Sequence, residues 1–88
     1  MKQLIHTYAN RVTDGDRTFS VTALGLQRDD GSWIGWLEFH ALDDGGILVT
    51  DQETSQPNRD AVAYWAAGLE PIYLEGAFER ALRLQQGS

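Results

Sequence analysis

Three polar residues in the first half of the chain have the types that a base-activated hydroxyl needs: Ser20, Glu38 and His40. A serine becomes a nucleophile when a neighbouring imidazole accepts its proton, and a carboxylate can orient that imidazole. The three side chains could therefore serve a weak hydrolase or line a pocket for a small molecule. The surrounding sequence offers no glycine-rich elbow and no obvious oxyanion donor, so a polar pair on a solvated end of a β-sheet is the simpler interpretation.

A second polar group, Gln56, Asn58 and Arg59, stands where a helix is predicted to begin. Backbone N–H groups at a helix N-terminus favour anions, so these side chains could bind an anionic or amide ligand there. The same residue types also cap helices, and a cap is the interpretation that we favour.

Metal binding has little support in the sequence. His6 and His40 are predicted on opposite faces of a sheet, so they cannot readily share an ion. We expect neither a metal site nor a cofactor. Four turn aspartates would gather at one end of the sheet, but the loop pattern of an EF-hand is absent and turn solvation explains them better: Asp14, Asp16, Asp43 and Asp44.

The charge balance argues against nucleic acid as a direct partner. The chain has 13 acidic and 7 basic residues, which gives a net charge of −6, and Lys2 is its only lysine. Binding to phosphate backbones depends on clustered lysine and arginine side chains. An acidic chain could instead act as a decoy that occupies the basic surface of a nucleic-acid-binding protein, which we keep as an alternative function.

Length and hydropathy predict a single domain over residues 1–88. The chain contains no cysteine, no run of the roughly 20 apolar residues that a membrane span needs, and no apolar run typical of a secretory signal. We therefore expect a cytoplasmic protein with no membrane partner. At this size folding buries only about two-thirds of the unfolded chain's surface, so a partner or a second copy would add stability.

The first turn signal is the dipeptide Asp14-Gly15, which favours a two-residue hairpin. This hairpin would join two long antiparallel strands. The pairs that it predicts are Thr13 with Asp16, His6 with Ala23, and Ile5 with Leu24.

The second turn signal, Asp29-Asp30-Gly31, suits a three-residue loop with Gly31 in the left-handed conformation. A slip of one residue would set Glu38 against Ala23, so the hydrophobic pattern supports this loop. The pairs that it predicts are Gln27 with Trp33, Ala23 with Leu37, Leu24 with Trp36, and Ser20 with His40.

These turns predict an α+β fold, a four-stranded antiparallel β-meander packed by two C-terminal helices. Pro57 suits the first position of a helix, and the spacing from Val62 to Leu69 is that of an amphipathic helix. Residues 72–74 fit a short strand or a helical entry equally well, and the tail from Gln85 to Ser88 is predicted to fray. The predicted strands cover residues 3–12, 17–27, 33–42 and 47–50, and the predicted helices cover 57–68 and 75–84.

The predicted register leaves apolar side chains on both faces of the sheet. One face would form the core, with Val62 and Trp65 docking the first helix on it. Its residues are Leu4, Tyr8, Val12, Phe19, Val21, Ala23, Trp33, Leu37 and Phe39.

The second face carries an apolar group that something is expected to cover, because burying one large apolar side chain stabilises a protein by about 1.5 to 3 kcal/mol. The last helix could cover it through Phe78 and Leu82, or a second subunit or another protein could do so. The residues of this predicted interface are Ile5, Leu24, Leu26, Ile34 and Trp36.

The segment from Glu53 through Glu75 resembles stretches of small uncharacterised bacterial proteins of unknown function. The resemblance covers about a quarter of the chain, and it implies no activity, cofactor or site residue.

Together, these patterns predict a small protein-interaction module that forms a homodimer through the second face of its sheet. They favour a non-catalytic protein over an enzyme. Aromatic and aliphatic side chains such as Trp36 and Leu24 suit the centre of such an interface. A small-molecule-binding protein or weak hydrolase is the first alternative, and the acidic decoy is the second.

Overall fold

The computed structural model of the protein describes residues 1–86. A six-stranded antiparallel sheet packs against two helices, so the predicted α+β class with two C-terminal helices is confirmed. In chain order the elements are β1 (Gln3–Thr7), β2 (Val12–Asp14), β3 (Arg17–Gln27), β4 (Trp33–Ala41), β5 (Ile47–Val49), β6 (Thr54–Gln56), α1 (Arg59–Ala67) and α2 (Pro71–Gln86).

The six strands occupy four rows in the order β1-β3-β4-β5. On one side of the sheet β1 and β2 both pair with β3, and on the other side β5 and β6 both pair with β4. The four predicted strands are roughly compatible with these four rows, and the structure divides the two outer rows further. The predicted first strand is interrupted at residues 8–11, and residues 54–56, predicted to lie beyond the sheet, pair with β4.

The hairpin of β3 and β4 has the predicted register throughout. Gln27 pairs with Trp33, and the loop closes where the Arg28 N–H donates to Ser32 O at 2.7 Å. Gly31 has a φ of +91°, a backbone conformation that is unfavourable for residues with a side chain. The predicted three-residue loop is thus confirmed, and with it the pairs Ala23–Leu37, Leu24–Trp36 and Ser20–His40.

The first hairpin differs from the prediction. Asp14 pairs with Arg17, so the two turn residues are Gly15 and Asp16, and Thr13 lies opposite Thr18 rather than Asp16. Of the two turn residues, only Gly15 has a positive φ, of +65°. This turn needs a positive φ only at its first central residue, a glycine, whereas the turn expected of Asp14-Gly15 would also force Asp14 into that region.

A β-bulge at Ile5 changes the face on which two predicted residues lie. His6 pairs with Ala23 as predicted, but Leu4, not Ile5, lies opposite Leu24, because the register shifts between Leu4 and His6. A bulge inserts one extra residue into a strand and re-aims the side chains beside it. Ile5 therefore packs against the core, and Leu4, predicted in the core, is 57% exposed.

Both helices cover the same face of the sheet. In α2, Phe78 packs against Phe19 and Phe39, with ring centroids 4.9 and 5.3 Å away. In α1, Val62 is fully buried and Trp65 packs against the core, as predicted. Because side chains alternate along a strand, the residues between these core positions point to the opposite face.

Two glycines allow close packing on the helix side of the sheet, Gly35 against α1 and Gly25 against Ile5. Gly25 pairs with Gly35, and both are buried on the helix side. A Cβ atom built on Gly35 would lie 3.0 Å from Val62 Cγ1 and 3.3 Å from Trp65 Cζ3. At Gly25 the corresponding atom would lie 3.0 Å from Ile5 Cδ1, so the bulged residue fills the space that a side chain would need.

The helix boundaries differ from the predicted ones by a few residues. Asn58 is the N-cap of α1, so Pro57 precedes the helix instead of starting it. Pro71 starts α2, which includes residues 72–74 and resolves their ambiguity in favour of a helix. Of the tail predicted to fray, Gln85 and Gln86 are helical, while Gly87 and Ser88 lie outside the described residues.

Buried hydroxyl and carboxylate groups join the two layers. The Tyr8 hydroxyl donates to Ala66 O at 2.7 Å, which ties the sheet to α1. The Glu53 carboxylate accepts hydrogen bonds from the Tyr73 hydroxyl and from Arg80, which tie the β5–β6 loop to α2. Burial raises the pKa of Tyr8, and burial together with the Glu53 carboxylate raises the pKa of Tyr73 to about 12.

No helix formed by residues 1–86 is both long and apolar enough to cross a membrane.

The contacts at Gly35 predict that Gly35→Val destabilises the fold by about 1 to 3 kcal/mol, because overpacking forces the helix away from the sheet. Urea unfolding followed by tryptophan fluorescence would measure the change. Gly76→Ala is the matched control, since the nearest atom to its added Cβ is Arg80 Nη1 at 3.7 Å, and it should stabilise α2. Equal stability of Gly35→Val and the unmodified protein would contradict the close approach.

The tyrosine pKa values predict a loss of stability at alkaline pH. Tyrosines in the unfolded chain lose their protons near pH 10, whereas Tyr8 and Tyr73 keep theirs to higher pH in the folded protein. The unfolded state therefore binds fewer protons between pH 10 and 12, and the free energy of unfolding should fall there. Tyr8→Phe should flatten this fall in urea titrations, whereas Tyr64→Phe, at an 86% exposed position, should leave it unchanged.

Candidate functional site

The face of the sheet opposite the helices is the candidate functional site, and we call it the open face. Neither helix of the described residues packs on it, because α1 and α2 both lie over the core. The alternation of side chains along the paired strands defines its members. They include Leu4, Thr7, Ser20, Thr22, Leu24, Leu26, Ile34, Trp36, Glu38, His40, Ile47 and Val49.

One end of the open face is apolar. We call this end the apolar patch; it consists of Leu4 and four of the five predicted interface residues, because the bulge has exchanged Leu4 for Ile5. Leu4 is 57% exposed and Leu24 only 7%, whereas the other three are partly exposed. Its members are Leu4, Leu24, Leu26, Ile34 and Trp36.

A carboxylate lies beside this patch, near the centre of the open face. Its side chain is only 9% exposed although no helix covers it. Glu38 Oε2 accepts hydrogen bonds from Lys2 Nζ at 3.1 Å and from Trp36 Nε1 at 3.3 Å, and His40 Nε2 lies 3.3 Å from Glu38 Oε1. We call these four residues the Glu38 cluster.

The cluster explains how a charge can lie in a mostly apolar surface. A buried carboxylate is stable where hydrogen-bond donors satisfy both of its oxygens, and these neighbours supply a charged donor, an indole donor and a ring nitrogen. Lys2 is 61% exposed on its side chain, so its charge stays hydrated while it offsets that of Glu38. The open face therefore carries little net charge locally, in contrast to the acidic chain as a whole.

The three residues that suggested a hydrolase are brought together only in part. Ser20 pairs with His40 across the strands as predicted, and His40 Nε2 lies 3.3 Å from Glu38 Oε1 on the same face. Within residues 1–86 no hydrogen bond joins the Ser20 hydroxyl to the His40 ring. The serine therefore lacks the contact through which a base would activate it.

The polar group at the start of α1 has structural contacts for each side chain. Asn58 Oδ1 accepts a hydrogen bond from the Ala61 N–H at 2.8 Å, which is an N-cap. Arg59 Nε donates to Gln3 Oε1 at 2.8 Å, and Gln56 Nε2 donates to Thr54 Oγ1 at 2.7 Å. Binding of an anionic or amide ligand by Gln56, Asn58 and Arg59 would compete with these contacts.

The turn aspartates form ion pairs within the chain. Arg17 binds both Asp43 and Asp44, at 3.3 and 3.1 Å. The hydrogen bond from Arg17 lowers the pKa of the Asp43 carboxyl. In the part of the chain that the structure describes, no three His, Cys, Asp or Glu side chains are grouped so that they could hold a metal ion.

Two contacts between distant segments were not predicted from the sequence. Lys2 reaches Glu38 over 36 positions, and Glu53 joins Tyr73 and Arg80 in α2. Neither contact has a local spacing signal, because each is created by the packing of distant segments. A lone lysine and a carboxylate within an otherwise uncharged strand were the only hints for the first.

Comparisons with protein-family models, with curated proteins and with solved structures found no match.

The Glu38 cluster predicts that Glu38→Gln destabilises the fold by about 1 to 2 kcal/mol. The amide replaces one acceptor oxygen by a donor, and the hydrogen bond from the lysine is no longer between two charges. Urea unfolding would measure the loss, with Glu79→Gln at an exposed position of α2 as the matched control. If both variants unfold at the same urea concentration, the cluster does not contribute to stability.

Proposed function

We propose that this protein is a cytoplasmic, non-catalytic interaction module that forms a homodimer through its open face. The observation that carries the proposal is the position of the two helices. Because both cover the core side, the alternative in which α2 shields Trp36 and Leu24 is excluded: Phe78 packs against Phe19 and Phe39 instead.

The dimensions of the sheet suit a second copy. β3 has 11 residues and is about 36 Å long, and four rows of strands are about 19 Å wide, so the face measures roughly 700 Å². A standard protein interface buries about 800 Å² on each partner. One sheet face laid against another copy of itself would therefore reach the size of a specific interface, as in a β-sandwich.

The distribution of side chains supports a self-complementary contact. A dimer with twofold symmetry brings the same patch of both copies together. If the axis runs parallel to the strands, the apolar patch of one copy meets the apolar patch of the other. Such a contact would bury Leu4, which is 57% exposed in the single chain, together with the exposed edges of Trp36 and Ile34.

Charge does not oppose this contact, although the chain has a net charge of −6. Many of the acidic residues lie in turns at the ends of the sheet, whereas the open face holds Glu38 with Lys2 beside it. A local ion pair in each copy leaves little repulsion to be screened across the interface. The Glu38 cluster would instead supply the polar part of the interface.

The alternative functions have less support. A hydrolase needs the serine contact that Ser20 lacks, and a ligand site at Gln56, Asn58 and Arg59 needs side chains that already make hydrogen bonds within the chain. The acidic decoy would need a continuous acidic surface, but Arg17 already pairs with Asp43 and Asp44.

Leu4→Lys is expected to weaken the homodimer at least tenfold, because it places one lysine charge from each copy in the apolar patch. Sedimentation equilibrium over a wide concentration range would give both dissociation constants. The matched control is Ile72→Lys, which changes a 76% exposed residue in the helical layer and should leave the dimer unchanged. A protein that stays monomeric at millimolar concentration, or equal effects of the two variants, would refute the proposed interface.

A further inference from the structure

The strand β5 ends the sheet on one side, and its register fixes where its backbone groups point. The Ala41 N–H donates to Gly46 O at 2.8 Å, and the Thr50 N–H donates to Leu37 O at 3.0 Å. In an antiparallel ladder, hydrogen-bonded and non-hydrogen-bonded pairs alternate. These two bonds make Ala41–Gly46 and Leu37–Thr50 hydrogen-bonded pairs. By alternation, His40–Ile47 and Glu38–Val49 are non-hydrogen-bonded pairs. The N–H and C=O groups of Ile47 and Val49 consequently point away from β4, towards the free edge.

The other edge of the sheet is less suited to further pairing. There the bulge at Ile5 and the interruption at residues 8–11 divide the edge into β1 and β2. Bulges and very short strands are the usual means by which proteins prevent an edge from pairing with another chain. The β5 edge is also short, with three strand residues, but its ladder over Ile47, Leu48 and Val49 carries no bulge.

A groove runs along the β5 edge, between the strand and the last turns of α2. It has a volume of about 390 Å³, and Ala81 and Leu84 form part of its wall. Leu84 is 45% exposed, and on the strand Ile47 and Val49 are 53% and 41% exposed. In an added strand, alternate side chains would point to the helical side of the sheet, where they would contact Leu84. The others would point to the side of the open face.

Acidic residues stand at both ends of this edge. Asp51 follows β5 and lines the groove. Asp43 and Asp44 precede β5, and among the ion pairs of residues 1–86 their only partner is Arg17. If β5 paired with its own copy in antiparallel fashion, Asp51 would come next to Gly45 of the second chain, beside Asp44. This approach of like charges disfavours a second copy and favours a strand with basic ends.

We propose that the β5 edge binds an extended segment of another polypeptide, one with alternating apolar side chains and with lysine or arginine at its ends. The backbone N–H groups of Ile47 and Val49 donate to this segment and their C=O groups accept from it, as in β-strand addition. The apolar side chains of the segment contact Leu84, and its basic ends lie near Asp51 and Asp44. This edge is distinct from the apolar patch, so the proposal does not depend on the homodimer.

The test is a titration of the full chain with the synthetic peptide Lys-Lys-Val-Thr-Val-Thr-Val-Lys-Lys. Amide NMR should show the peaks of Ile47 and Val49 shifting and their N–H groups becoming protected from solvent exchange. Affinity should fall as salt is added, because the charges at the strand ends are exposed. An absence of binding at millimolar peptide, or peaks that shift only elsewhere, would overturn the proposal.

Backbone pairing is tested by removing one outward donor. Val49→Pro deletes an N–H that no ladder bond of the fold uses, and edge strands tolerate proline at such a position. Binding should fall at least tenfold in this variant and should persist in Val49→Thr. Leu4→Lys, which tests the homodimer, should bind the peptide as the unmodified protein does.

A second measurement needs no change in the protein. The same peptide with N-methyl groups along one edge keeps its charge and composition but cannot pair through that edge, and it should bind at least tenfold more weakly. Equal binding of both peptides would mean that charge alone attracts them, which refutes strand addition. Protection of the Val49 amide that grows with protein concentration in the absence of peptide would instead identify a second copy as the occupant, and would overturn the proposal.

Discussion

The register of β3 against β4 is the constraint on which both faces of the sheet depend. Successive side chains of a strand point to opposite faces, so a shift of one residue would exchange the two sets completely. As it is, Phe39 faces α2 and the adjacent Glu38 faces away from it. The left-handed Gly31 closes the hairpin with an odd number of loop residues, which selects this arrangement over its neighbour.

The layer above the core is held by contacts that need this register. Gly25 and Gly35 meet across the two strands only because Gln27 pairs with Trp33. The missing side chain of Gly35 lets Val62 approach the sheet, and that of Gly25 leaves room for Ile5. Partly buried hydrogen bonds of Glu53 and Tyr8 then join the sheet layer to α2 and α1. With both helices placed by these contacts, no helix of the described chain is left to cover the opposite face.

The two surfaces that we assign to partners differ in their physical basis. The open face offers apolar area around a satisfied carboxylate, so its contact would depend on burial and shape. The β5 edge offers backbone N–H and C=O groups that point away from the sheet, so its contact would depend on hydrogen bonds and on the charge at its ends. The side chains of Ile47 and Val49 lie on the first surface while their backbone groups form the second, which lets the two contacts coexist.

The sequence by itself determined the fold class, the β3–β4 register and the apolar end of the second face, because these follow from local turn residues and from the period of the hydrophobic pattern. It also identified Leu24, Leu26, Ile34 and Trp36 correctly as neighbours. Only the tertiary structure decided that Leu4 replaces Ile5 beside them, since a bulge has no reliable local signature. The same holds for the contacts of Lys2 with Glu38 and of Glu53 with α2. Residues far apart in the chain meet there, and their meeting depends on how the layers pack, which no spacing along the sequence records.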